Sequence, residues 1–189
     1  MTTTTDQWKI TGGWLAGARR VPSPNCNPRP DGEVTELVVI HGISVPPGQY
    51  GGPEIEALFT NSLDPDAHPY FAEISGLEVS AHFLLRRTGE VVQFVSTDAR
   101  AWHAGVSCWQ GREQCNDFSI GIELEGCDDE AYTDLQYEAL NQLLAVLTKQ
   151  YPDIRHDAIV GHSDIAPGRK TDPGPAFDWS RVVASQSQR

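Results

Sequence analysis

The chain has 189 residues, of which 39% are hydrophobic and 21% charged, and its formal net charge at pH 7 is −12. This composition fits one globular domain with a sizeable core and excludes an intrinsically disordered chain. The negative charge argues against nucleic acid and anionic membranes as partners, because both bind basic surfaces. No apolar run approaches the roughly 20 residues that a membrane-spanning helix needs.

The N-terminal segment predicts a cytoplasmic protein if the chain is complete at that end. Residues 1–6 are polar and threonine-rich, and they lack the basic and then apolar segments of a secretory signal. We expect residues 1–11 and 185–189 to be flexible tails around one domain at residues 12–184. The four cysteines should be free thiols, because the chain is not small and shows no export signal. The lack of a Cys-x-x-Cys spacing argues against a thiolate zinc site.

The first half of the chain predicts short regular segments separated by proline and glycine breaks. A β-branched apolar run that ends at His41 predicts a buried central strand. The pair Thr88–Gly89 between two apolar runs predicts a hairpin. In chain order we expect a proline-containing extended arm, this strand, a short helix, a long loop and the hairpin, at residues 14–31, 36–41, 54–61, 62–76 and 79–96.

The second half predicts two strands and one long helix. Thr133 and Gln136 form a capping-box pattern, and leucines at three- and four-residue spacing follow until Pro152. In chain order we expect an irregular segment, a strand, this long helix, a short strand and a terminal helix, at residues 100–117, 118–126, 133–151, 158–161 and 179–184. The order of the elements predicts an α/β fold with a central mixed sheet flanked by helices.

Residues 161–174 contain three glycines, which allow positive φ angles, and two prolines, which fix φ. This stretch predicts a shaped loop that carries His162, Asp172 and Lys170. His41 and His162 each follow a predicted strand, so they could meet at one sheet edge. Two imidazoles and a carboxylate leave one tetrahedral position open, as a hydrolytic zinc site requires. Spacing alone leaves Asp164 as an alternative to Asp172.

Glu123 lies in a predicted strand between apolar neighbours. Alternation alone places it on a solvent-facing side of that strand. If it instead points into a cleft, burial would raise its pKa and suit it to general acid–base catalysis. Glu125 lies on the same side and is the alternative candidate.

Two further side chains could contact a substrate. Lys170 lies two residues from Asp172 in a stiff segment, where a fixed cation could stabilise an oxyanion. Trp102 is either a core residue or a stacking surface, and its loop position favours the pocket. His82 is expected to hydrogen-bond within a strand, whereas His68 and His156 are expected on loop surfaces.

Five segments together resemble the N-acetylmuramoyl-L-alanine amidase type 2 family: residues 39–41, 79–83, 101–105, 116–123 and 161–174. The resemblance extends in consistent order over residues 12–182. It implies the mixed α/β fold of peptidoglycan recognition proteins. It also implies that His41, His162 and Asp172 hold one catalytic zinc ion, which favours Asp172 over Asp164.

The resemblance also implies roles and a substrate. Glu123 would be the general base and acid, and Lys170 would stabilise the oxyanion. The substrate would be a small soluble 1,6-anhydro-muropeptide from peptidoglycan recycling. A cytoplasmic monomer would cut the amide between its lactyl group and L-alanine.

The chain departs from the family's pattern at Gly42, Glu78 and Gln114, where similar members have Asn, Arg and Arg. These positions would affect peptide specificity rather than catalysis. Arg112 and Arg169 are then the candidate anchors for substrate carboxylates, because an Arg fork suits a carboxylate.

Two other functions are open at this point. One is a binding module of the same fold, although modules that only bind often lack a zinc ligand that this chain has. The other is an exported amidase acting on intact cell wall, which the missing signal sequence disfavours. Binding of stoichiometric zinc would argue against the binding module. A preference for soluble muropeptides over intact cell wall would argue against the exported amidase.

Overall fold

The computed structural model describes residues 8–183. Four α-helices are present among them: α1 (Glu54–Phe59), α2 (Pro69–Ile74), α3 (Asp134–Gln150) and α4 (His162–Ile165). Three 3₁₀ turns are at Cys115–Asp117, His156–Ala158 and Trp179–Arg181. The strands are β1 (Ile10–Thr11), β2 (Trp14–Leu15), β3 (Arg19–Arg20), β4 (Cys26–Pro28), β5 (Leu37–Ile43), β6 (Phe83–Leu85), β7 (Val91–Gln93), β8 (Ala99–Ala101), β9 (Cys108–Trp109), β10 (Arg112–Glu113), β11 (Ser119–Glu125) and β12 (Ile159–Gly161).

A six-stranded mixed sheet forms the centre, in the order β12-β5-β11-β6-β7-β3. Strand β5 is parallel to both of its neighbours, β12 and β11, whereas β6 and β7 form the predicted antiparallel hairpin. The register of the β5–β11 pair places Glu123 beside His41. The expected mixed sheet is therefore confirmed, and the adjacent strands β5 and β11 carry residues of the candidate site.

Helices cover both faces of the sheet. On one face, the leucines of α3 pack against apolar residues of β5 and β11, such as Ile40 and Ile122. On the other face, Phe59 of α1 and Phe71 of α2 pack with Leu84. All seven residues of β11 are consequently buried, which alternation alone did not predict.

The long helix begins and ends as predicted. The Thr133 side chain accepts a hydrogen bond from the backbone N–H of Gln136, and the Gln136 side chain accepts one from the backbone of Thr133. An N-terminal cap of this kind typically stabilises a helix by about 1 kcal/mol. The helix ends at Gln150, just before Pro152.

Several predicted boundaries were wrong. Ile10 is buried and pairs with Leu15, so residues 8–11 belong to the domain rather than to a tail. The predicted loop at 62–76 contains α2, whose N-cap is His68, and the predicted loop at 161–174 begins with α4. The terminal helix is only a 3₁₀ turn in its described part. Residues 1–7 and 184–189, including both predicted tail ends, lie outside the described residues, and the upper domain limit at residue 184 stays a prediction.

Two expectations from composition can be compared with the structure. No helix in residues 8–183 is long and apolar enough to cross a membrane. All four cysteines lie in this range and are free thiols, as predicted.

Candidate metal centre and catalytic site

The carboxyl ends of two parallel strands bring the predicted ligands together. His41 lies near the end of β5, and His162 begins α4 directly after the neighbouring strand β12. The loop after α4 returns to this edge, where the backbone N–H of Ser163 donates to the carbonyl of Asp172. One donor atom from each of His41, His162 and Asp172 lies within 4.8 Å of the others, which makes them a candidate metal-binding group.

The ligand atoms are arranged closely enough to share one ion. His41 Nδ1 lies 3.0 Å from His162 Nδ1, and each of these nitrogens lies 3.1 Å from Asp172 Oδ2. Four ligands at the usual zinc distance of about 2.0–2.1 Å would be about 3.3 Å apart in a tetrahedron. The two nitrogens and the oxygen therefore fit three corners of a zinc site with only a small expansion.

The electrostatics of the group favour deprotonated ligands. Burial lowers the pKa of His41 to about 4, although the hydrogen bond to Asp172 opposes this shift. Burial alone would raise the pKa of Asp172, but its hydrogen bonds to His162 and His41 outweigh burial and hold it below the ordinary value. A neutral imidazole and an ionised carboxylate are the forms that bind a metal.

Glu123 points into the site rather than into solvent. It is 8% exposed, and its Oε2 atom has no hydrogen-bond partner among the described residues. Burial raises its pKa well above the ordinary value of 4.5, the charge of Asp172 adds to this effect, and Lys170 opposes it. A carboxyl group with a raised pKa beside candidate metal ligands suits general acid–base catalysis.

The two competing carboxylates have other partners. Glu125 accepts hydrogen bonds from Arg86 and from the backbone N–H groups of Gly51 and Arg87. Asp164 is exposed and accepts a hydrogen bond from the N–H of Gly161 at 2.7 Å. Glu125 therefore anchors a loop and Asp164 caps α4, and neither belongs to the three-residue metal group.

A cavity of about 610 Å³ opens onto the group. Glu123, Lys170 and Trp102 line it together with the three ligand residues. Lys170 is exposed at the mouth of the site, but its charge acts on both His41 and Glu123. The Trp102 indole N–H donates to Asn27, which leaves the ring half-buried at the wall of the cavity.

The two arginines proposed as carboxylate anchors do not line this cavity. The Arg112 guanidinium lies over the Phe118 ring and pairs with Glu33 and Glu36, so its fork already holds two carboxylates. Arg169 donates to the carbonyls of Ala104 and Val106. Arg112 therefore already has carboxylate partners and Arg169 holds backbone carbonyls, and the anchor role of both arginines stays a prediction.

The departure at Gly42 has a structural reason. A Cβ at this position would lie 2.3 Å from the hydroxyl oxygen of Tyr132. This hydroxyl donates to the carbonyl of Pro173, the residue after Asp172, and so fixes the loop that carries the carboxylate. Sequence reasoning missed Tyr132, since nothing local connects it to residues 41 positions away.

The remaining histidines are mostly as predicted. His82 is fully buried, its Nδ1 accepts from the N–H of Gly121, and its Nε2 contacts the carbonyl of Ala99. His156 is exposed. His68 is only partly exposed, because its side chain caps α2.

Known proteins resemble this chain along most of its length. A family model described as N-acetylmuramoyl-L-alanine amidase matches residues 30–175. The protein AmpD of Escherichia coli K12, named 1,6-anhydro-N-acetylmuramyl-L-alanine amidase, is 64% identical over 169 residues, or 89% of this chain and 92% of AmpD. A crystal structure of a selenomethionine AmpD derivative has a TM-score of 0.90 at 61% identity, over 93% of this chain and 98% of its own.

A more distant structure contains a ligand. It is a complex of the N-acetylmuramyl-L-alanine amidase AmiD from E. coli with the substrate anhydro-N-acetylmuramic acid-L-Ala-D-gamma-Glu-L-Lys. Its TM-score is 0.58 at 27% identity, over 95% of this chain and 66% of AmiD.

Fold and sequence together define the class of this protein, which is an amidase. The chain belongs to the N-acetylmuramoyl-L-alanine amidase family. The expected family, fold and enzyme class are thereby confirmed.

Proposed function

We propose that this protein is a zinc-dependent amidase of peptidoglycan recycling. Its substrate is a small soluble 1,6-anhydro-muropeptide, and the bond it hydrolyses is the amide between the lactyl group of the anhydromuramic acid and L-alanine. The high identity to proteins named for this activity supports the substrate. We further propose that it acts as a monomer in the cytoplasm.

The observation that carries the proposal is the position of Glu123 relative to the ligand group. A buried carboxyl oxygen without a partner is costly, since leaving such a group unsatisfied typically costs about 1–3 kcal/mol. It lies in the same cavity as two imidazole nitrogens and a carboxylate that converge on one point. A hydrolytic centre explains both features together.

His41, His162 and Asp172 would hold the zinc ion. When bound, zinc would supply Lewis acidity: it would polarise a carbonyl group and lower the pKa of bound water toward about 7. Three protein ligands leave the fourth position for water or substrate, as in other hydrolytic zinc sites.

The chain's own residues move the protons and stabilise charge. Glu123 accepts a proton from water as the water attacks the lactyl carbonyl carbon. The ammonium group of Lys170 faces the negative charge that develops on the carbonyl oxygen. Glu123 then donates the proton to the alanine nitrogen, so that the C–N bond breaks into a carboxylic acid and a free amine. Burial of the Glu123 side chain keeps its pKa raised, as this double role requires.

The test is to incubate the purified protein with anhydromuramyl-tripeptide, with and without a chelator, and to identify the products by mass. We expect release of the intact tripeptide, loss of activity after chelation and recovery after zinc is restored. Activity that survives complete metal removal would contradict the zinc proposal. Equal release of peptide from polymeric peptidoglycan would contradict the choice of substrate.

Matched variants separate metal binding from proton transfer. Glu123→Gln keeps the size of the side chain but cannot accept the proton, so it should retain zinc and lose about 100- to 10,000-fold in kcat. Asp172→Asn should lose zinc, whereas the neighbouring control Asp164→Asn should keep both zinc and activity. Normal zinc content in Asp172→Asn would remove Asp172 from the ligand set.

A further inference from the structure

The outer nitrogens of both ligand histidines contact one dipeptide, His103–Ala104. His162 Nε2 lies 3.1 Å from the carbonyl oxygen of Ala104, and His41 Nε2 lies 2.9 Å from His103 Nδ1. Asp172 Oδ2, which faces His162 Nδ1 at 3.1 Å, also only accepts, so Nδ1 gives up its proton when a metal binds there. His162 Nε2 then carries the single proton and donates it to the Ala104 carbonyl. The Nδ1 atom of His162 therefore presents its lone pair to the metal position.

The proton on His41 is fixed by a longer chain of hydrogen bonds. The Ser119 hydroxyl donates to the carbonyl of Cys115, so its oxygen accepts the contact from His103 Nε2 at 3.1 Å. His103 then has its proton on Nε2 and its lone pair on Nδ1. This lone pair accepts from His41 Nε2–H, which leaves His41 Nδ1 free to bind metal. Each step follows from the single proton of a hydroxyl or a neutral imidazole.

The dipeptide itself is held from two sides. Asn116 is buried, and its Oδ1 atom accepts from the backbone N–H groups of His103 at 3.1 Å and Ala104 at 2.8 Å. Gly121 leaves room for the imidazole of His103, since a Cβ there would lie 2.4 Å from its ring. The two backbone bonds hold the dipeptide in place, and Arg169 donates to the Ala104 carbonyl at 2.6 Å.

We propose that Asn116 and His103 are positioning residues for the metal centre: Asn116 holds the dipeptide whose side chain and carbonyl set the tautomers of both histidine ligands. The proposal rests on the zinc site of the proposed function. Partners of this kind orient the imidazoles, and their removal typically costs about 10- to 100-fold in metal affinity. Neither residue touches the ligand position itself, so their effect acts through His41 and His162.

The test compares two Asn116 variants of similar size. Asn116→Asp keeps an acceptor oxygen, whereas Asn116→Leu removes it. Zinc dissociation constants are measured by competition with a chromophoric chelator, and the Tm of each metal-free protein is measured in parallel. We expect Asn116→Leu to bind zinc about 10- to 100-fold more weakly and Asn116→Asp to stay within a few-fold of wild type.

A second variant keeps the test decisive if Asn116→Leu does not fold. His103→Phe retains a ring of similar size but has no acceptor for His41, so it should weaken zinc binding to a similar degree. In the cobalt(II)-substituted protein, the visible absorption bands should change, because they report the geometry around the ion. Unchanged zinc affinity and an unchanged cobalt spectrum in folded His103→Phe would overturn the proposal.

Failure of this proposal can be told apart from failure of the proposed function. A wild-type protein that binds no stoichiometric zinc would refute the zinc site and the positioning roles together. A wild-type protein that binds zinc and hydrolyses substrate, with variants of equal affinity, would refute the positioning roles alone.

Discussion

Two cavities of similar volume meet at the turn formed by residues 102–105, and they differ in the state of their polar groups. The first has a volume of about 610 Å³ and is lined by Trp102 and His103, whereas the second has a volume of about 670 Å³ and is lined by Gly105. In the first cavity, two ring nitrogens and the Asp172 carboxylate converge, and Glu123 Oε2 has no hydrogen-bond partner within residues 8–183.

In the second cavity the two arginines already have partners. Arg100 pairs with Asp117 and Asn27, and Arg169 donates to two backbone carbonyls. The larger cavity thus contains groups whose hydrogen bonds stabilise the fold. The comparison shows that cavity volume alone does not identify the candidate site. What identifies it is a set of buried polar groups that converge and lack hydrogen-bond partners.

The largest effect expected from a group outside the ligand set and Glu123 is that of Lys170→Ala. This variant should fold and bind zinc but lose about 100- to 1,000-fold in kcat, as is typical when an oxyanion-stabilising group is removed. Lys170→Arg keeps a cation and should retain more activity. Steady-state kinetics and metal analysis of both proteins are the measurements, and near-normal turnover in Lys170→Ala would refute the assigned role.

The burial of the Glu123 carboxyl group should also make the free energy of unfolding depend on pH. The folded protein raises the pKa of this carboxyl above its ordinary 4.5, so above that pH the folded state binds more protons than the unfolded state. Its contribution to stability therefore falls as pH rises from about 4.5 toward the folded pKa. In thermal unfolding of the metal-free proteins, wild type should lose Tm relative to Glu123→Gln as pH rises from 4 to 8. A constant difference, or one of opposite sign, would contradict the burial effect.

Sequence patterns predicted the parts of this molecule that depend on local order. Strand β5, the hairpin and α3 were predicted because hydrophobic periodicity and a capping box act within a few residues. His41 and His162 were predicted to meet because both follow strands, and parallel pairing of β12 with β5 brings those ends together. Choosing Asp172 over Asp164 required the family resemblance, since both lie in the same loop region.

The parts that were missed depend on what covers each surface. Alternation predicted a solvent-facing position for Glu123. Helices and loops cover both faces of β11, however, so neither face of this strand is exposed to solvent. Ile10 was assigned to a tail because its two-residue strand is too short to show periodicity. The hydrogen bonds between Asn116 and the dipeptide His103–Ala104 join residues 12 and 13 positions apart, and no local sequence pattern predicts them.

The smallest expected effect belongs to the second cavity, and it tests the comparison directly. Gln114 lines this cavity and is exposed, although family members with Arg at this position suggested a role in peptide binding. Gln114→Ala should change kcat/KM for anhydromuramyl-tripeptide by no more than about twofold, because exposed substitutions usually change free energies by about 0.5 kcal/mol or less. The measurement is kcat/KM beside the Tm of the same variant. A tenfold loss at unchanged Tm would mean that the peptide reaches past the turn at residues 102–105, and that the second cavity, despite its satisfied arginines, forms part of the substrate site.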